Sequence, residues 1–181
     1  FDRAEVLEHK SLSLRLDLGP DAPGGIVGWR ARHHTGIVDV DRPDNYDPAD
    51  FWEPVSARHG GIILNPDDFY ILATREAVTV PPDYAAEMVA YDTLVGEFRV
   101  HYAGFFDPGF GWHPDDRSIG SRGVLEVRSH DVPFLLEHEQ VIGRLRYERL
   151  IARPEKIYGT GIGSHYQGQG LKLAKQFKTP E

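Results

Sequence analysis

Two stretches of this chain have the residue types to do chemistry: Tyr102-Ala-Gly-Phe-Phe-Asp-Pro-Gly-Phe-Gly111 and Gly123-Val-Leu-Glu-Val127. The first reads as a strand entering a tight Asp-Pro-Gly turn. Such a turn leaves backbone N–H and C=O groups beside a fixed Asp, which is what gripping the edge of a small planar base requires. The second reads as a strand with one carboxylate, Glu126, pointing away from Leu125 and Val127 and sharing a face with Val124. If that face lines a pocket, desolvation raises the carboxylate pKa and makes Glu126 a proton shuttle. If it meets solvent, Glu126 is an ordinary surface carboxylate, and the pattern leaves both readings open. Asp107 is similarly open between shaping its own turn and accepting a ribose hydroxyl or orienting water.

Other candidates carry less. His33-His34 with Asp39 and Asp41 invites a metal reading, but adjacent histidines on a strand point to opposite faces and rarely share one ion. His101, His130 and His138 are scattered. The tail holds His165-Tyr166-Gln167-Gly168-Gln169-Gly170, followed by Lys172, Lys175 and Lys178. Glycines flanking amides and an aromatic suit a lid over a ligand, with lysines in reach of phosphates. A solvated terminus has the same composition. The chain has no Gly-Lys-Ser/Thr phosphate loop, no dinucleotide fingerprint and no Gly-x-Ser-x-Gly elbow.

The elements that must position these groups read mainly as strands. The 181 residues are 40% hydrophobic, enough for one core and one domain. Leu12, Leu14, Leu16 and Leu18 alternate with polar residues. Further strands are expected at 24–30, 36–40, 61–64, 69–73, 77–80, 98–106, 124–129, 134–136 and 141–151. Residues 41–54, rich in Asp and Pro, read as a long inserted loop whose Tyr46, Phe51 and Trp52 pack onto the body. Glycines and prolines fall too often for long helices; the two weak helical candidates are 84–89 and the tail. Short strands separated by turn signals predict an all-β barrel or folded double sheet. The expected division is a barrel over 1–157 and a lid or tail over 158–181.

Composition narrows the function. With no cysteine, disulfides, thiolate metal sites and Cys nucleophiles are excluded. A net charge of −8 and no Lys/Arg cluster argue against a nucleic-acid binder. No apolar run approaches the roughly 20 residues of a membrane span, and no secretory pattern opens the chain, so a cytoplasmic protein is expected. The start at Phe1, without an initiator methionine, is expected of a piece of a longer protein.

Taken in order, these pieces resemble the dCTP deaminase family of the dUTPase-like superfamily. Ser11-Leu-Ser-Leu-Arg-Leu16 resembles the family's early strand, usually with Asp where Ser13 stands. Ile62 to Val80, with Asn65-Pro66 and Thr74-Arg75-Glu76, resembles its strand, proline turn and second strand. Ala103 to Phe110 resembles the pyrimidine-binding hairpin. Gly123 to Val127, Val132-Pro133 and Val141 to Leu150 resemble the catalytic strand and its successor. Tyr158 and His165 to Gln169 resemble the closing tail. The resemblance implies a distorted jelly-roll-like barrel that trimerises and a reaction of dCTP with water giving dUTP and ammonia. Glu126 is implied as the general acid/base, and Ala103 and Gly104 as backbone readers of the pyrimidine. Asp107 is implied beside the deoxyribose, with Tyr158, Tyr166 and Gln169 as nucleotide contacts of the tail. His165 stands where a Lys is common. Mg²⁺ is implied as a passenger of the triphosphate, with no zinc: the zinc deaminase site needs cysteines this chain lacks.

The chain also departs from the family pattern. A Ser-Ser-x-x-Arg motif that holds phosphates is missing from Ala90–Arg99, Phe105 replaces a common Arg, and 112–121 is an insertion. These departures resemble the C-terminal copy in longer bacterial deaminases with two tandem domains. A homotrimer or a pseudo-hexamer of tandem domains is the implied assembly, with the phosphate motif supplied from another copy. Two alternatives stand beside deamination: a dUTP pyrophosphatase working through Asp107, and a non-catalytic half of a tandem protein.

Overall fold

The computed structural model describes residues 11–90, 98–100, 104–115, 120–129, 131–159, 168 and 170–179. Eleven strands dominate it: β1 (Ser11–Arg15), β2 (Gly28–Ala31), β3 (Trp52–Val55), β4 (Gly61–Leu64), β5 (Phe69–Val78), β6 (Tyr84–Ala90), β7 (Phe98–Val100), β8 (Phe105–Phe106), β9 (Ser121–Ser129), β10 (Phe134–Glu137) and β11 (Val141–Arg149). They form three antiparallel sheets ordered β1-β11-β6-β8, β10-β4 and β3-β2-β5-β9-β7. The protein is therefore all-β, as its strand and turn pattern predicts, and a distorted jelly-roll-like barrel, as the family resemblance implies. Among the described residues, no helix is long and apolar enough to cross a membrane.

Alternation builds the core. In β9, Leu125 and Val127 face inward while Val124, Glu126 and Arg128 face outward. Leu14, Leu72, Leu125, Val127, Leu136 and Leu145 meet in one apolar cluster between the sheets. β5 breaks the alternation, being buried continuously from Tyr70 to Thr74. Both of its faces are covered: Leu72 faces the main core, and Ile71 packs outward with Trp29 and Leu173.

Several elements differ from the sequence reading. The strands expected at 69–73 and 77–80 are largely one strand, with a register shift between Ala73 and Ala77. Thr74 holds this bulge: its hydroxyl donates to the Glu76 carbonyl at 2.8 Å and accepts from Gly123 N–H at 2.9 Å. Residues 84–89, a weak helical candidate, lie in β6. Ala86 and Met88 alternate inward there, and pairing with β11 and β8 outweighs the helical preference of Ala, Glu and Met. The strand expected at 36–40 is absent; Ile37 is 94% exposed and the segment joins no sheet. The start of the 24–30 strand is a turn with Gly24 at φ 61°, so β2 begins at Gly28. Among the described residues of the expected 98–106 strand, β7 and β8 lie in different sheets. The 41–54 loop contains a four-residue helix, α1 (Pro48–Phe51), and most of β3. Asp47 caps α1 by accepting from Ala49 N–H at 2.9 Å.

On β11, the Tyr147 hydroxyl donates to the Thr79 carbonyl at 3.0 Å, and burial pushes this phenol up to about 12. A folded-state pKa above the unfolded value near 10 stabilises the fold fully below about pH 10, and that stabilisation is lost as pH rises through about 12. Unfolding measured at pH 9 and pH 11.5 should show a loss that shrinks by about 2 kcal/mol in Tyr147→Phe; an unchanged pH dependence would contradict this role.

Candidate functional site

A cleft of about 460 Å³ opens on the outward face of the five-stranded sheet, within the range of small-ligand sites. Its floor is Phe69 and Ile71 of β5 with Gly123, Val124 and Glu126 of β9. Register explains their meeting, because Ile71 lies directly opposite Glu126 and Phe69 opposite Arg128. The Arg128 guanidinium sits 4.9 Å from the Phe69 ring centroid, and Trp52 of β3 adds an aromatic end with its ring 6.0 Å from Phe69. The Trp52 indole N–H is buried with no hydrogen-bond partner among the described residues.

One wall is the predicted hairpin. Gly104, Phe105, Phe106, Asp107 and Phe110 line the cleft. The Gly104 carbonyl accepts from Met88 N–H at 3.0 Å, which ties the hairpin to β6. Beyond Asp107 the turn is held by Phe110 N–H to the Asp107 carbonyl at 3.0 Å, and by Gly109 N–H to Val80 and Val80 N–H to Phe110 at 2.9 and 2.8 Å. Tyr158 N–H donates to the Pro108 carbonyl at 2.8 Å, and its ring lies 5.8 Å from Phe110, which meets Phe106 edge-on at 4.9 Å. Lys172, Leu173 and Ala174 complete the lining.

The structure thus gathers Glu126, Gly104, Asp107 and Tyr158 in one cleft. Ala103, His165, Tyr166 and Gln169 lie outside the described residues. Glu126 lines the cleft but is exposed, so the burial envisaged for its carboxylate is not met within one chain. Sequence reasoning missed Trp52 and Phe69 as part of the cleft lining. The available signal was the run of outward apolar residues Val124, Ile71 and Phe69, which need a cover.

Behind Trp52 and Phe69 lies a polar network. Glu53 receives Arg30 and, at 2.9 Å, Arg32, and the hydrogen bond and charge of Arg30 hold its carboxyl below the usual range. Burial pushes Asp68 up, but hydrogen bonds from His33 at 2.8 Å, Asn65 at 3.2 Å and Tyr70 at 3.2 Å, with the Arg30 charge, hold it below its ordinary value. His33 therefore braces a loop carboxylate, and Asp39 pairs with Arg42 at 3.2 Å. His138 Nδ1 accepts from Leu18 N–H at 3.0 Å, a structural role. Among the described residues, no His/Cys/Asp/Glu group could hold a metal ion.

An all-β barrel whose glycine hairpin and outward strand carboxylate line one small cleft defines the class of domain. The family model described as 2'-deoxycytidine 5'-triphosphate deaminase (DCD), C-terminal domain, matches residues 2–177, and the chain belongs to that family. It is 34% identical over 174 residues to a protein of Mycobacterium avium named dCTP deaminase, dUMP-forming, covering 93% of this chain and 80% of that one. A protein of the same name from Beutenbergia cavernae is 35% identical over 111 residues, 59% of this chain and 53% of its own. The crystal structure of 2'-deoxycytidine 5'-triphosphate deaminase from Agrobacterium tumefaciens superposes with a TM-score of 0.73 at 53% identity, over 86% of this chain and 50% of that one. The chain thus spans about half the length of that structure and of the first curated relatives it matches.

Gly109 is a point of close approach in the hairpin. Its φ is +99°, and a Cβ there would lie 2.5 Å from the Tyr158 carbonyl oxygen and 2.9 Å from its nitrogen. Gly109→Ala should cost about 1–3 kcal/mol from the backbone conformation alone and displace Tyr158 from Phe110. Thermal unfolding and a crystal structure of the variant check this; wild-type stability with Tyr158 in place would contradict the close approach.

Proposed function

We propose that this cleft binds the Mg²⁺ complex of dCTP and that Glu126 is the general acid/base of a hydrolytic deamination. The observation that carries the reading is the convergence of Glu126 with the Gly104–Phe110 hairpin in one cleft. In the proposed step, the Glu126 carboxylate takes a proton from water as its oxygen bonds to C4 of cytosine. The tetrahedral intermediate collapses as the proton is delivered to the departing amino group, so ammonia leaves and a uracil ring remains. Backbone groups of Ala103 and Gly104 read the base edge, Asp107 accepts a deoxyribose hydroxyl, and Tyr158 closes the sugar side. His165, Tyr166 and Gln169 contact the nucleotide from the tail. The phosphate-holding Ser-Ser-x-x-Arg motif, missing from 90–99, comes from another copy in a trimer or a tandem pseudo-hexamer.

The ring reaction yields dUTP. The names of the Mycobacterium avium and Beutenbergia cavernae proteins add a second possibility, release of dUMP. That outcome also requires water at a phosphate, and Asp107 is the other carboxylate of the cleft.

Ammonia and pyrophosphate should be followed separately after adding Mg²⁺-dCTP or Mg²⁺-dUTP. General acid/base help is worth about 10²–10⁴-fold, so Glu126→Gln should slow ammonia release by at least about 10²-fold while dCTP binding stays within a few-fold. Unchanged ammonia release in Glu126→Gln would sink the assignment. Pyrophosphate from dUTP that survives Glu126→Gln would support the pyrophosphatase reading through Asp107.

A further inference from the structure

The hairpin carries one aromatic side chain with no packing role in the cleft. Among the described aromatic residues of the lining, Trp52, Phe69, Phe106, Phe110 and Tyr158 are buried or half-buried, whereas Phe105 is 79% exposed. Its neighbour Phe106 has a structural place. The Phe106 ring meets Phe110 edge-on at 4.9 Å and packs against the main core cluster. Successive side chains of a strand project to opposite faces, so Phe105 stands on the face of β8 away from that cluster.

β8 is the last strand of its sheet and pairs with β6 alone among the described residues. Gly104 to Asp107 all line the cleft. A planar ligand that meets a free strand edge with its own rim lies in the plane of the sheet, between the side-chain layers above and below. At β8 those layers are Phe105 and Phe106. Phe110 already covers the Phe106 ring, while the Phe105 ring is open. The rest of the Phe105 face is charged. Glu87 lies opposite Phe105 on β6 and accepts from Arg146 at 2.8 Å, and Glu148 stands 3.2 Å from the same guanidinium. A protein partner docking by apolar contacts would meet a single ring among ions there. A pyrimidine needs no more than one ring, because one base stacked on one aromatic side chain is a substantial contact.

We propose that Phe105 is a base-stacking residue of this cleft, its ring covering one face of the pyrimidine. The inference deepens the nucleotide reading above and rests on it for the identity of the ligand. Stacking acts on the ring of the substrate and not on its phosphates, so Phe105 contributes equally to a nucleoside and to its triphosphate. The contact is made in the ground state and the transition state alike, so it sets KM and leaves kcat to Glu126.

Calorimetric titration of the 181-residue chain with deoxycytidine and with Mg²⁺-dCTP, alongside ammonia release, tests this. Phe105→Ala should weaken both ligands by the same factor, about tenfold. It should raise KM for dCTP by that factor and keep kcat within about twofold. Phe105→Tyr, which keeps the ring, should stay within about threefold of wild type. At so exposed a position, Phe105→Ala should keep the wild-type unfolding temperature and gel-filtration volume. Wild-type deoxycytidine affinity in Phe105→Ala, or a loss confined to dCTP, would overturn the proposal. So would a changed gel-filtration volume accompanying the loss, which would make Phe105 a subunit contact, or a wild-type chain that does not bind deoxycytidine. If the wild-type chain binds both ligands and releases no ammonia, yet Phe105→Ala weakens both equally, the deaminase reading fails and the Phe105 assignment stands. Ammonia release with an unchanged KM in Phe105→Ala keeps the deaminase reading and removes Phe105 from it.

Discussion

The pairing of β5 with β9 is the constraint on which the rest of the structure depends. With Leu72 opposite Leu125 and Tyr70 opposite Val127, the inward residues of both strands fill the core. The same register places Ile71 opposite Glu126 on the other face. A slip of one residue would carry Glu126 into the core and Leu125 into the cleft. The Thr74 bulge limits such a slip, because its hydroxyl bonds both strands, to Glu76 on one and Gly123 on the other. Core and site are two faces of one ladder.

The outward face of that ladder is too apolar to stand open, and its cover creates the cleft. Trp29, Ile71 and Leu173 form their own buried cluster, joined by Trp52, Phe69, Val124 and Phe177. Leu173 covers part of this face, and the Gly104–Phe110 hairpin lines the cleft with Glu126. The hairpin in turn is fastened to Val80 and Tyr158 by backbone hydrogen bonds through positions where a glycine is required.

The legible parts of this arrangement were local. The alternation in 124–128 assigns Glu126 to the outward face, and Asp107-Pro108-Gly109 announces the turn beside it. The parts that were hidden depend on distant partners. β6 is written in helix-favouring residues and becomes a strand because β11 and β8 flank it. Val38 and Val40 have strand-forming side chains but no neighbouring strand, so their segment stays irregular. Leu173 and Phe177 look like isolated apolar residues in a polar tail until Trp29, Ile71 and Phe51 supply their contacts. No periodicity near the tail could announce an anchor that lies more than a hundred residues away in sequence, as between Val40 and Gln176.

The most direct test of the central claim is a crystal structure of the Glu126→Gln chain with dCTP bound. The account predicts the cytosine in this cleft, with its edge on the backbone at 103–104. C4 should lie within reach of residue 126 through one water, each hydrogen bond about 2.6–3.2 Å. A nucleotide bound elsewhere, or one whose amino group faces away from residue 126, would contradict it.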